Sequence, residues 1–97
     1  MDEGRAKEAE ALLREVVERS EQVLGIEHRN TGRSRTHLGR CLTLLGRNEE
    51  ARAQLIRARD TVRQALDPGH AWIRDAEAAL KQAGNGPSTT DATVVGS

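Results

Sequence analysis

The chain is 97 residues long and carries 15 Lys plus Arg against 15 Asp plus Glu. That length fits one small domain or part of one, and the zero formal charge lacks the cationic surplus of a polybasic nucleic-acid binder. A single Cys excludes an internal disulfide framework, Trp72 as sole aromatic excludes stacking platforms and cation cages, and no apolar run is long enough to span a bilayer.

The elements follow in chain order. In residues 5–24, Ala9, Leu12, Leu13, Val16, Ser20, Val23 and Leu24 recur at helical spacing and predict an amphipathic helix that Gly25 stops. Residues 30–45 put Thr31, Leu38, Cys41, Leu42 and Leu45 on a second stripe, ended by Gly46. Asn48 is expected to cap a third helix over 48–66, with Glu49 and Glu50 in its first turn and Ala51, Leu55, Ala58, Val62, Ala65 and Leu66 on its apolar side. Asp67-Pro68-Gly69 breaks it, and residues 70–83 bring Ile73, Ala76, Ala79, Leu80 and Ala83 to a fourth. From Gly84 the composition shifts to Gly, Asn, Pro, Ser, Thr and Asp, so 84–97 is expected to be a disordered tail. Met1-Asp2-Glu3 does not open a signal peptide, and a cytoplasmic location is expected.

The helices repeat. Shifted by 42 residues, Gly4, Arg5, Glu8, Ala9, Ala11 and Leu13 fall on Gly46, Arg47, Glu50, Ala51, Ala53 and Leu55. Further on, Gln22, Leu24, His28 and Leu38 fall on Gln64, Leu66, His70 and Leu80. Each helix is apolar on part of its circumference only, so hairpins must stack to share a core. The expected fold is all-α: antiparallel hairpins stacked as an α-solenoid of four helices.

Gly46-Arg47-Asn48-Glu49-Glu50-Ala51, with Leu38-Gly39, Leu42, Leu55 and Ala58, resembles the G-x-x-E-E-A turn and flanking pattern of tetratricopeptide repeats. The 42-residue period and the linkers Leu24-Gly25-Ile26-Glu27-His28 and Leu66-Asp67-Pro68-Gly69-His70 resemble the kinesin-light-chain variety. The resemblance makes 5–24 the second helix of a partial repeat, 30–66 a full repeat and 70–83 a capping helix, as at the C-terminal part of a longer array. Arg29 and Ala71 replace the usual Pro after His. Arg35 and Glu77 stand where the family has a large apolar residue, which argues against close packing there.

The resemblance also implies a function: a scaffold binding a peptide or protein segment on a concave face lined by first helices. By position the lining is Arg33, Thr36, His37, Arg40 and Thr43. Guanidiniums two turns apart suit carboxylates, so the expected partner is an acidic segment or a C-terminal carboxylate. His28 and His70, each opening a helix, read as structural caps. Cys41 reads as a buried hydrophobe, and no metal-ligand spacing, cofactor motif or catalytic arrangement is present. Two alternatives stay open. Arg29, Arg33, Arg35 and Arg40 with Thr31, Ser34 and Thr36 could serve a helix-turn-helix on DNA. The chain could also be a helical self-association module with no peptide site. For Trp72, packing over Leu66 and Pro68 is favoured over an exposed anchor.

Overall fold

The structure, a computed structural model, describes residues 3–84, and these form four α-helices. They are α1 (Glu3–Val23), α2 (Arg29–Leu44), α3 (Asn48–Ala65) and α4 (Ala71–Gly84), with no strand among the described residues. Of the expected 84–97 tail, Gly84 instead closes α4, and residues 85–97 lie outside the described ones. No described helix is long and apolar enough to cross a membrane.

The helix ends follow local chemistry. At the end of α2, Gly46 adopts φ 79°, a left-handed conformation that glycine reaches without a Cβ penalty. Its N–H donates to the Thr43 carbonyl at 3.0 Å, and the Arg47 N–H donates to the Leu42 carbonyl at 2.9 Å, which satisfies two carbonyls of the last turn. The linker histidines cap their helices as the repeat predicts. His28 Nδ1 accepts from the Asn30 N–H and His70 Nδ1 from the Trp72 N–H, both at 3.0 Å.

Asn48 corrects the sequence reading. It is the first residue of α3, and Arg47, at the cap position, makes no side-chain capping bond. The Asn48 side chain is buried, and its Nδ2 donates across the stack to the Ala83 carbonyl at 2.9 Å. It thus serves the open C-terminal end of α4 rather than the N-terminal end of its own helix.

Cross-helix pairs set the directions. Cys41, late in α2, donates its S–H to the carbonyl of Ala6, early in α1, at 3.1 Å. Asn48, early in α3, reaches Ala83, late in α4. Both pairs therefore run antiparallel. They are also the same pair, since a shift of 42 carries Ala6 to Asn48 and Cys41 to Ala83, with donor and acceptor exchanged. Between α2 and α3 the approach is close because α2 has glycine at the crossing. A Cβ on Gly32 would stand 2.9 Å from Val62 Cγ1, and one on Gly39 would collide with the Leu55 side chain.

The main core runs through all four helices: Val17, Leu38, Leu42, Ala51, Leu55, Ala79 and Ala83, with Leu13 and Leu80 against it. A smaller cluster of Val62, Ile73 and Ala76 holds Leu66. Two expectations need correction here. In α1 the buried residues are Ala6 and Val17, whereas Leu12, Val16, Val23 and Leu24 of the predicted stripe are exposed. The apolar residues of α1 span two sides, and α2 covers one. Arg35 does not loosen the packing at its position. It is 3% exposed, ion-paired with Glu21 of α1 and bonded through Nη1 to Gln54 Oε1 of α3 at 2.9 Å. Burial first, and then the charge of Arg57, hold the guanidinium below its ordinary value, and Glu21 and Gln54 give it oxygen acceptors.

Candidate functional site

The exposed ridge of α2 is Arg33, His37 and Arg40, at spacings of four and three, on the side turned from the Leu38–Leu42 core. Thr36 lies beside them in sequence but is buried, and its hydroxyl donates to the Gly32 carbonyl at 3.1 Å. Thr43 is half-buried and donates to the Gly39 carbonyl at 3.0 Å. Of the five expected lining residues, the structure brings two arginines and one histidine to the surface together. The two threonines bond to their own helix, a common use of a hydroxyl inside a helix.

α4 supplies the other wall. The Arg33 guanidinium stands over the Trp72 ring, 4.4 Å from its centroid, and the same ring meets His70 edge-on with centroids 5.4 Å apart. Trp72 thus faces α2, while Leu66 packs on the Ile73 cluster. The cation–π contact holds the arginine stem flat against an aromatic face and leaves its outer N–H groups to solvent. His37 is held below the ordinary imidazole range, first by partial desolvation, then by the charges of Arg33 and Arg40, with Asp75 of α4 opposing. It is the neutral centre of a positive ridge, able both to donate and to accept a hydrogen bond.

The ridge charges are uncompensated. Among the described residues neither Arg33 nor Arg40 forms an ion pair. A second charged cluster is closed on itself: Arg14 pairs with Glu10 and Glu50, and Arg47 pairs with the same two carboxylates. That cluster ties α1 to α3 and offers no spare charge. Sequence reasoning missed Trp72 and Asp75 as neighbours of the ridge, because contacts between α2 and α4 skip the intervening helix.

Other chemistries find little here. Among the described residues no group of three His, Cys, Asp or Glu could hold a metal ion. Cys41 is buried and its thiol is pushed up, chiefly by burial and then by Glu10, away from the reactive thiolate form.

Residues 1–64 match the family model of the tetratricopeptide repeat. Proteins of that family generally mediate protein–protein interaction, and its repeats are typically non-enzymatic scaffolds. No curated protein and no solved structure matches the chain.

Proposed function

We propose that this chain, which belongs to the tetratricopeptide repeat family, is a protein-binding scaffold whose α2–α4 side takes an acidic segment or a C-terminal carboxylate. The observation that carries this reading is the uncompensated pair Arg33 and Arg40 flanking His37, with Arg33 oriented on Trp72. Arginine gives bidentate geometry to a carboxylate, and a neutral His37 adds a donor without a further charge to neutralise. Thr36 and Thr43 then serve by shaping the helix rather than by touching the ligand. The burial of Arg35 weighs against the helix-turn-helix alternative, because it removes one of the four arginines that reading needs. The 42-residue spacing and capped histidine linkers support the kinesin-light-chain-like variety. The charged outer side of α4 supports its role as a cap at the C-terminal end of an array, and a cytoplasmic setting belongs to the same proposal.

The test is titration of labelled acidic, basic and carboxyl-amidated peptides, read by anisotropy and by amide chemical shifts. The acidic peptides should bind and shift resonances within 33–43. Arg33→Glu with Arg40→Glu should abolish binding with helicity unchanged, since both side chains lie outside the core. Affinity should rise as pH falls through the range of His37, because a bound carboxylate stabilises its protonated form. Retained binding in the double variant sinks the assignment. Binding of duplex DNA that falls steeply with salt and ignores acidic peptides favours the rival reading.

A further inference from the structure

The ridge on α2 does not stop at Arg40. One step further along the same side, at the spacing that joins Arg33 to His37, stands Leu44. It is 67% exposed, against 39% for Ile56, the other exposed large hydrophobic residue among the described parts of α2, α3 and α4. A single exposed leucine means little by itself; its surroundings decide. α2 turns Cys41 toward α1, where it bonds to Ala6, and Gly32 and Gly39 toward α3. Leu44 points to neither, so its exposure does not depend on what covers α1 or α3.

The neighbouring helix reaches it. Arg33 stands over Trp72 and Asp75 acts on His37, so α2 and α4 run in the same direction. The bond from Asn48 to Ala83 carries the end of α4 as far as the turn that follows α2. Leu44 is therefore open beside a helix that extends past it.

The α4 wall changes along the ridge. It begins with Trp72 and Asp75, and the same side continues with Ala78 and Gln82, both exposed and uncharged. Arg33 is braced on the Trp72 ring, and Asp75 repels an acid at the level of His37. Arg40 has no ion pair, and the α4 side chains level with it and with Leu44 are a methyl group and an amide. The ridge thus offers an anion its best place at Arg40, directly before an apolar one. Four helical residues separate the two, about 6 Å along the axis. In an extended chain, side chains two residues apart share one face and stand about 6.6 Å apart. A carboxylate on Arg40 therefore brings the side chain two residues away over Leu44.

We infer that Leu44 is a specificity-determining residue of the α2–α4 side, whose occupant is an extended segment with an acidic and a large apolar side chain two residues apart, the acid on Arg40 and the apolar group on Leu44. The inference rests on the carboxylate-binding reading and narrows it. A bare run of acids is a poorer ligand, because Asp75 opposes its middle and Leu44 gains nothing from it.

The test is titration of the full chain with four peptides. The first three are amidated at the C-terminus: a glutamate flanked two residues away on each side by leucine, the same peptide with both leucines replaced by serine, and a run of four glutamates. The fourth is the serine peptide with a free carboxyl end. The leucine peptide should bind tightest, and the amidated serine peptide roughly fivefold or more weaker. Leu44→Ser should erase that difference by weakening the leucine peptide alone, with circular dichroism unchanged, since the side chain lies outside the core. Equal binding of the leucine and serine peptides overturns the inference and leaves the carboxylate reading standing. A leucine preference that survives Leu44→Ser does the same, as does a glutamate run that binds as tightly as the leucine peptide, or binding only of the free carboxyl end. Binding by none of the four overturns both.

Discussion

His28 and His70 do the same work one repeat apart: a ring nitrogen accepts the backbone N–H two residues on and fills one vacancy of a helix start. His28→Ala should therefore cost about 0.5–2 kcal/mol of unfolding free energy, the usual worth of an N-cap, measured by urea denaturation. His28→Asn should recover most of that loss, since an amide oxygen two bonds from Cβ accepts the same N–H. If Asn stabilises no better than Ala, the imidazole acts by packing and not by capping. These caps were legible in the sequence because the capping nitrogen and the N–H that donates to it lie two residues apart. The role of Asn48 was not, because its partner, Ala83, lies 35 residues away. Its side-chain oxygen, Oδ1, is buried without a hydrogen-bond partner, so the amide is spent on the one long-range bond from Nδ2.

At the scale of elements, Arg35 shows how a rule-breaking residue is absorbed. Its guanidinium enters the junction of α1, α2 and α3, where Glu21 and Gln54 supply oxygens. Removing one partner strands a buried charge, whereas removing the charge itself does not. Glu21→Ala should thus destabilise by about 2–3 kcal/mol, somewhat less than for a fully enclosed pair because Glu21 keeps contact with water. Arg35→Met should cost less than Glu21→Ala, since Met fills similar volume and leaves no donor unpaired. Equal losses in both, measured by thermal denaturation, would mean that packing dominates over charge. The pattern of apolar residues gave the helices and most of the core in α2, α3 and α4, where a single stripe faces inward. It misled in α1, where Leu12 and Leu13, and Val16 and Val17, are adjacent pairs pointing to different sides. Spacing records that both sides are apolar; which one a neighbour covers depends on the stack.

For the molecule as a whole, the closed ring of Glu10, Arg14, Glu50 and Arg47 matters because of where it sits. The backbone of α1 packs on α2 alone, and the ring gives α1 a second attachment, to α3. Both carboxyls are held below their ordinary value of 4.5, first by the hydrogen bond from Arg14, with Arg47 adding to it and desolvation partly opposing. The sign follows from proton binding. Below the ordinary glutamate range the unfolded chain takes up protons that the folded ring still excludes, so stability is full above that range. It is lost as pH falls through the lowered folded values. Melting temperature plotted against pH should therefore fall on this acid limb, and Glu10→Gln with Glu50→Gln should flatten the fall while lowering the plateau near neutral pH. Salt should lower the plateau of the parent chain more than that of the double variant, since the charges are partly exposed and screened. Because the ring is the charged link between α1 and α3 that acid weakens, amide exchange followed through the same pH range should open α1 before α3. Simultaneous opening of both would mean that Leu13 and Val17 alone hold α1 in place.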